Sequence, residues 1–226
     1  MYAVYRRQRV RRLIAAHQPE VVLHEYSGVR LKVRLADPLA TAWYDRDWPV
    51  STEIRYLREQ GILEGALVFD LGAHHAVKAS VLAAGGANVV AVEALPHNVR
   101  AAEENLALNP DVGRRVIVVN AAVTKTSGPT KVAFELNSRL DEWGSVTVPG
   151  ATIDELSSRF GWPDLVYMDI EGGEVDALAG APRTILNRRW WLIEVHGDEQ
   201  GLRAALADYR LHRLEDDQVF LVAEPP

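Results

Sequence analysis

Cysteine is absent from this chain of 226 residues, which excludes disulfide bonds, a thiolate nucleophile and cysteine metal sites. No apolar run approaches the length of a membrane-spanning helix, and no apolar stretch follows the basic N-terminus as in a signal peptide. Lys and Arg number 25 against 31 Asp and Glu, a balance that disfavours binding along a nucleic-acid backbone. These absences predict a cytoplasmic protein that binds neither membranes nor nucleic acids.

Short apolar runs that suit buried strands alternate with helical segments over most of the chain. Strands are expected at 66–70, 88–93, 116–122, 165–171 and 191–196, and helices at 77–84, at 96–108, from 152, and from the glycines at 172 and 173 through 186. A closing antiparallel hairpin is expected around 213–222. This alternation is typical of right-handed crossovers. The sequence therefore predicts an α/β fold with a doubly wound, mostly parallel sheet and a C-terminal hairpin.

Two regions interrupt the alternation. Before residue 60 we expect a helix at 3–17, half-exposed strands at 21–23 and 29–35, an irregular aromatic segment at 42–49 and a helix that starts at 51. Short segments at 131–135 and 145–148, which lack an intervening helix, indicate a hairpin inserted into the winding.

Acidic side chains end four of the predicted strands, and a histidine follows the last. They are Asp70, Glu93, Asp169 with Glu171, and Glu194 with His196. In open α/β sheets ligands bind outside the carboxyl ends of the strands, so this topology gathers the acids and the histidine around one crevice. Gly72 is interpreted as the glycine of a tight turn from the first of these strands into a helix.

The spacing of 21 residues from Gly72 to Glu93 is close to that by which nucleotide-binding folds place an acid on ribose hydroxyls. A dinucleotide fingerprint requires glycine where this chain has His74 and Val77, which disfavours a nicotinamide-dependent oxidoreductase. S-adenosylmethionine carries a sulfonium and an ammonium but no phosphate, so strand-end carboxylates suit it better.

A series of short motifs then resembles the FkbM-type family of S-adenosylmethionine-dependent methyltransferases over roughly residues 65 to 197. The motifs are Phe69-Asp70-Leu71-Gly72-Ala73, Val92-Glu93-Ala94 with Pro96 and Asn98, Asn120-Ala121-Ala122, Thr152-Ile153-Asp154-Glu155-Leu156, Asp169-Ile170-Glu171-Gly172-Gly173-Glu174, and Glu194-Val195-His196. The resemblance implies a class I, Rossmann-like methyltransferase fold and O-methylation of a hydroxyl on a sugar, a polyketide or another small metabolite.

The same resemblance implies positions for the cofactor. It places Asp70, Gly72 and Ala73 around the methionine part, Glu93 on the ribose, and Asn120 with Ala121 near the adenine. His74, Ala94 and Asp169 are expected to complete the cofactor site.

Methyl transfer to oxygen requires a group that accepts the proton of the acceptor hydroxyl. We expect His196 to be this general base, with Glu194 or Asp169 as its orienting or acceptor-binding partner. In an alternative, Asp169, Glu194 and His196 bind an ion such as Mg²⁺, which would lower the pKa of the hydroxyl.

Three positions depart from the family pattern, and they motivate a second hypothesis. His74 and Ala76 replace an asparagine and a glycine, and Tyr167 replaces a lysine. A relative with these changes could bind S-adenosylmethionine without turnover and act as a subunit or scaffold. His74 and His75 are expected to point in different directions and to be mainly structural.

Residues 1–60 are expected to form an extension on the acceptor side, and residues 61–226 the cofactor-binding domain. Acceptor specificity is expected from this extension, from 43–48 and from 124–149. The sequence predicts neither the acceptor nor the oligomeric state.

Overall fold

Residues 12–133, 139–140 and 146–226 are described by the computed structural model of the chain. The strands are β1 Glu20–Tyr26, β2 Val29–Leu35, β3 Leu67–Leu71, β4 Asn88–Glu93, β5 Val116–Asn120, β6 Ala122–Val123, β7 Gly128–Ala133, β8 Arg139–Leu140, β9 Val146–Ala151, β10 Leu165–Met168, β11 Trp190–Glu194, β12 Arg210–Glu215 and β13 Val219–Glu224. The helices are α1, described over residues 12–16, α2 Pro38–Tyr44, α3 Thr52–Glu59, α4 Val77–Ala84, α5 Pro96–Leu108, α6 Pro110–Gly113, α7 Ile153–Phe160, α8 Glu174–Ala179, α9 Pro182–Leu186 and α10 Glu199–Ala205. Among the described residues, no helix has the length and apolar character needed to cross a membrane.

A seven-stranded sheet in the order β12-β13-β11-β10-β3-β4-β5 forms the centre of the molecule. The strands from β11 to β5 run parallel, and β13 and β12 add the antiparallel hairpin at one edge. The chain winds outward from β3 through β4 to β5 and later returns to β10 on the other side of β3. The strand order therefore reverses between β3 and β10, where a ligand crevice is expected in such a sheet.

Successive residues of the central strands point to opposite faces of the sheet, and each face has its own core. Val68 of β3 packs in one core with Leu165 of β10, whereas Phe69 packs in the other with Val166. The strands read as continuous apolar runs because helices cover both faces. The doubly wound, mostly parallel sheet and its C-terminal hairpin confirm the predicted fold class.

The N-terminal elements pack against one face of this sheet. Tyr26 of β1, Leu35 of β2 and Ile54 of α3 belong to the same buried cluster as Val68. Of the helix predicted at 3–17, residues 12–16 are helical, and residues 1–11 lie outside the described part of the chain.

Two helix predictions are corrected by the structure. The segment at 42–49 was expected to be irregular, but its first residues complete α2, whose N-cap Asp37 accepts from the backbone N–H groups of Leu39 and Ala40. The single helix expected through residue 186 is two helices, α8 and α9. The break follows from Gly180 at the C-cap of α8 and from Pro182, which has no N–H to donate to the preceding turn.

The inserted region is larger than a hairpin. β7 and β9 pair antiparallel as predicted, and with β6 and β8 they form a separate four-stranded sheet in the order β6-β9-β7-β8. The predicted positions 134, 135 and 145 lie outside the described residues.

Candidate active site

The turn from β3 into α4, residues 72–76, lies at the point where the strand order reverses. Gly72 has φ +92°, and a Cβ on it would lie 1.8 Å from the Asp169 carbonyl oxygen, so the turn and the end of β10 pass too close for a side chain. The backbone N–H groups of Gly72 and Ala73 both donate to the Val92 carbonyl, at 2.9 and 3.0 Å. These contacts join the ends of three parallel strands at the turn.

Asp70, the penultimate residue of β3, is buried, with 2% of its surface exposed. Its Oδ2 atom has no hydrogen-bond partner among the described residues. Burial, opposed by Lys78 and reinforced by Glu93, raises the pKa of Asp70 to about 7. A buried acidic oxygen with no hydrogen bond suits a cationic ligand group, such as the ammonium of a methionine moiety.

Glu93 ends β4 beside this turn and is almost fully buried. Its Oε2 accepts from the His74 backbone N–H at 2.9 Å, and its Oε1 accepts from the Leu95 N–H at 2.7 Å. These bonds fix the plane of the carboxylate. Asn120 donates from Nδ2 to the carbonyl oxygens of Glu93 and Ala94, at 3.0 and 2.8 Å, and the Ala121 N–H donates to the Glu93 carbonyl. The end of β5 thus holds the end of β4 in place.

His74 and His75 do not point in different directions as expected. Their rings stack, with centroids 4.0 Å apart and planes 7° from parallel. Backbone strain permits this, because His74 has φ +47°. The Tyr44 hydroxyl hydrogen-bonds His74 Nδ1 at 2.7 Å, and His75 Nε2 lies 3.3 Å from Asp37 Oδ2. Both histidines therefore anchor α2 on the β3–α4 turn.

A second group, which we call the His196 cluster, contains His196, Asp169, Glu174 and Glu194. Glu174 Oε1 lies 2.9 Å from His196 Nδ1, and Glu194 Oε1 and Asp169 Oδ1 lie 3.4 and 3.6 Å from His196 Nε2. Gln218 donates to Glu194 Oε1 from the C-terminal hairpin, at 2.7 Å. One imidazole thus lies among three acidic side chains, Asp169 directly after β10, Glu174 of α8 and Glu194 of β11.

The imidazole and the acids of the cluster shift one another's pKa values. The hydrogen bonds to Glu174 and Glu194 outweigh desolvation and raise the pKa of His196 to about 10. Burial and the adjacent Glu194 carboxylate raise the pKa of Asp169 well above its usual range. For Glu174 and Glu194, burial acts in the opposite direction, but the bonds to His196 lower the pKa of each. At neutral pH the cluster therefore contains an imidazolium beside the carboxylates of Glu174 and Glu194, and Asp169 holds a proton more readily than an exposed aspartate does.

The predicted residues fall into two groups at the carboxyl ends of the strands. The structure brings Asp169, Glu194 and His196 into contact, and it places Asp70, Gly72, Ala73, His74, Glu93, Ala94, Asn120 and Ala121 around the β3–α4 turn and the neighbouring strand ends. Contact of the Gly72 backbone with Asp169 joins the two groups.

Sequence reasoning missed three residues near these groups. Glu174 gives no distinct functional signal in the sequence, because an acid at the start of a helix is favourable in any case. Tyr44 belongs to a helix that was not predicted, although Asp37 followed by Pro38 is a helix-start signal. Lys78 gave no motif signal.

Within the described part of the chain, one set of oxygen and nitrogen atoms could hold a metal ion. Asp169, Glu171 and His196 each offer one ligand atom, and these atoms lie within 4.8 Å of one another. The metal site predicted from the sequence has the same aspartate and histidine, but it has Glu194 as its third ligand in place of Glu171.

Residues 70–215 match the family model described as the methyltransferase FkbM domain. The chain is 24% identical over 193 residues to the hexuronic acid methyltransferase AglP of Haloferax volcanii, a match that covers 80% of this chain and 79% of that protein.

Two solved structures are similar in fold. The 16S rRNA N2 G1207 methyltransferase of T. thermophilus, solved with AdoMet and guanosine, aligns with a TM-score of 0.56 and 13% identity over 93% of this chain and 51% of its own. The magnesium protoporphyrin IX methyltransferase of Synechocystis PCC 6803, solved with bound SAM, gives a TM-score of 0.50 and 15% identity over 76% of each chain. At these identities the likeness shows the fold alone.

Proposed function

The chain belongs to the methyltransferase FkbM family and is an S-adenosylmethionine-dependent methyltransferase, and we propose that it methylates a hydroxyl of a sugar. The similarity to a hexuronic acid methyltransferase supports a sugar over a polyketide or another natural product as the acceptor. The observation that carries the proposal is the position of the His196 cluster beside the β3–α4 turn, where Gly72 contacts Asp169.

The residues around the turn fit the cofactor. Asp70 would bind the ammonium of its methionine part, and the backbone of Gly72 and Ala73 would lie along that part without a side chain in the way. Glu93 would bind the ribose hydroxyls, and Asn120 with Ala121 would border the adenine. When bound, S-adenosylmethionine supplies a methyl group on a sulfonium, and its C–S bond breaks as the new C–O bond forms.

The cluster suggests how the proton of the acceptor leaves. His196 was expected to be the general base, but a pKa of about 10 leaves it protonated at neutral pH, so it has no free lone pair to accept a proton. We assign it the role of hydrogen-bond donor to the acceptor oxygen. Glu194, anionic and 3.4 Å from His196 Nε2, accepts the proton as the O–H bond breaks.

The pH dependence of kcat separates the two assignments. If Glu194 accepts the proton, kcat reaches its plateau near or below neutral pH, and Glu194→Gln lowers kcat by about 10²-fold or more. If neutral His196 is the base, kcat keeps rising until about pH 10. A plateau at neutral pH that persists in Glu194→Gln would contradict our assignment.

The acceptor is tested by transfer of radiolabelled methyl groups from S-adenosylmethionine to a panel of hexuronic acids, neutral hexoses and phenolic or polyketide alcohols. Labelled products are then treated with dilute alkali, which hydrolyses methyl esters but leaves methyl ethers intact. Alkali-stable label on a sugar supports the proposal. Alkali-labile label would show that the enzyme methylates a carboxylate, forming an ester, and not a hydroxyl. Cofactor binding without transfer to any member of the panel would favour the non-catalytic alternative.

A divalent ion is a second candidate for activating the hydroxyl, because Asp169, Glu171 and His196 offer ligand atoms close together. An ion there would lower the pKa of a bound hydroxyl. Loss of transfer after exhaustive chelation, with recovery on adding Mg²⁺ or Mn²⁺, would support this version, and full activity after chelation would exclude it.

Because the chain has an excess of acids, we also propose that it does not act on nucleic acids.

A further inference from the structure

Lys78 lies on the same side of the sheet as Asp70 and is enclosed by an acid and two aromatic rings. Its Nζ atom makes an ion pair with Glu53 Oε1. It also lies 5.7 Å from the centroid of Trp48 and 5.6 Å from that of Tyr167, within range of a cation–π contact to each. Only 20% of the Lys78 side chain is exposed. The ammonium is therefore held at a defined place.

The position of this lysine runs against its local preference. Lys78 is the second residue of α4, and the N-terminal turn of a helix disfavours a cation because the backbone N–H groups there carry partial positive charge. The negative charge of Glu53 offsets this unfavourable position of the lysine. Glu53 is 3% exposed, and its Oε1 also accepts from the Ser51 hydroxyl. A charge placed against its local preference and supported by a buried partner indicates a role beyond the helix itself.

Geometry places this charge next to Asp70, because Lys78 Nζ lies over the ring of Tyr167, and Tyr167 is the register partner of Asp70 on the neighbouring strand β10. The Asp70 carboxylate is buried with an oxygen that has no hydrogen bond among the described residues, and the like charge of Glu93 from β4 faces it. Lys78 from α4 is the cation that opposes both effects. Tyr167 of β10 and Tyr44 of α2 also lie within the field of Asp70, and Glu53 of α3 pairs with the lysine.

We propose that Lys78 is a positioning residue that favours the anionic form of the Asp70 carboxylate, the form able to bind the cationic methionine end of S-adenosylmethionine. This inference rests on the proposed placement of the cofactor at the β3–α4 turn. Its physical basis is that a neutral Asp70 could not pair with an ammonium, whereas an uncompensated buried anion would take up a proton. The ammonium of Lys78 offsets that tendency without occupying the site of the ligand.

The consequence is a pH-dependent affinity. If the charge of Lys78 is removed, the pKa of Asp70 rises further, so a smaller fraction of the protein has an anionic Asp70 at a given pH. For a shift of one pKa unit from about 7, the affinity for S-adenosylmethionine should fall by about five- to tenfold at pH 6 to 7 and by less than twofold at pH 9.

The test is isothermal titration of S-adenosylmethionine into the wild type, Lys78→Met and Lys78→Arg between pH 6 and pH 9. The ratio of the variant Kd to the wild-type Kd is the readout, because titration of the ligand itself cancels in it. We expect the ratio for Lys78→Met to be large at pH 6 and close to one at pH 9, and the ratio for Lys78→Arg to stay within about threefold of one because its charge is kept. A ratio for Lys78→Met that is the same at all pH values would indicate a purely structural role and overturn the inference.

Lys78→Met leaves Glu53 buried without its cation, which could prevent folding. The double variant Glu53→Gln with Lys78→Met removes both charges, and a smaller rise of the Kd ratio at low pH is expected of it, because loss of the Glu53 anion offsets part of the loss of the Lys78 cation.

Failure of the wild type to bind S-adenosylmethionine would contradict the proposed function. The effect of Lys78 on Asp70 is then tested by measuring the free energy of unfolding, which needs no ligand. Asp70 and Lys78 should show an interaction energy in a double-mutant cycle of Asp70→Asn and Lys78→Met at pH 9, where Asp70 is ionised, and a smaller one at pH 6. Additive effects at pH 9 would overturn the inference.

Discussion

Gly72 is the residue at which the backbone of the β3–α4 turn is most constrained. A methyl group there would overlap the Asp169 carbonyl, and the residue has a positive φ that alanine adopts only with strain. We expect Gly72→Ala to lower the free energy of unfolding by about 3 kcal/mol or more and to abolish binding of S-adenosylmethionine. Urea unfolding and isothermal titration check the two effects.

Gly172 provides the matched control. Its φ is +101°, but a Cβ on it would have nothing within 4 Å. Gly172→Ala therefore pays for backbone strain only, about 1 kcal/mol. If the two variants were equally stable, the close approach of the turn to Asp169 would not be the constraint on Gly72.

At the scale of elements, α2 is held on the β3–α4 turn by a buried acid. Asp37 caps α2 through Oδ1 and contacts His75 through Oδ2. Desolvation would raise the pKa of Asp37, but the contact with His75 and the Ala40 N–H outweigh it and lower the pKa to about 2. Because the folded pKa lies below the unfolded one, the ionised acid contributes stability above about pH 4, and this is lost as the pH falls through about 2.

Substitution of Asp37 tests this attachment. Asp37→Asn keeps a capping oxygen but no charge, and we expect it to lower the free energy of unfolding by about 2 kcal/mol at pH 6. The difference from the wild type should shrink by about 1 kcal/mol at pH 3, where part of the wild-type charge effect is already lost. Asp37→Ala should cost about 1 kcal/mol more because the cap is lost as well. Urea titrations at both pH values supply the comparison, and a difference that does not change with pH would refute the charge effect.

The bounds of strands and helices show which element limits local sequence signals predict and which they do not. The predicted ranges 88–93 and 96–108 coincide with β4 and α5, because an apolar run with an acid at its end and a proline at the next helix start mark those limits. The junction of α8 and α9 was missed although Gly180 and Pro182 mark it. Tight packing adds to the break, since a Cβ at Gly180 would lie 2.6 Å from the Thr124 carbonyl oxygen.

For the whole molecule, cofactor binding should appear as added stability. A ligand at 100 times its Kd that binds only the folded state stabilises it by about 2.7 kcal/mol, which for a chain of this size raises Tm by about 5 to 10 °C. We expect this shift with S-adenosylmethionine in thermal unfolding, and we expect Glu93→Gln to reduce it. Arg210→Ala is the control, because that side chain is 71% exposed on the edge strand β12. A shift retained in full by Glu93→Gln would argue against the ribose role of Glu93.

The sequence by itself determined the class of fold, the order of the winding and the acids at the strand ends. These features follow from local composition: buried strands need continuous apolar runs, and parallel winding places the strand ends on one edge of the sheet. The candidate residues Asp70, Glu93, Asp169, Glu194 and His196 could therefore be named without coordinates.

Only the tertiary structure decided which of these groups touch and how they are charged. The bond of His196 to Glu174, the enclosure of Lys78 by Glu53 and Tyr167, and the packing of α2 on the β3–α4 turn join residues that are distant in the chain. Such contacts depend on strand order and on the direction in which each helix leaves the sheet, and their energies are set by burial rather than by residue type. For that reason the protonation of His196 emerged from the fold and not from its motif.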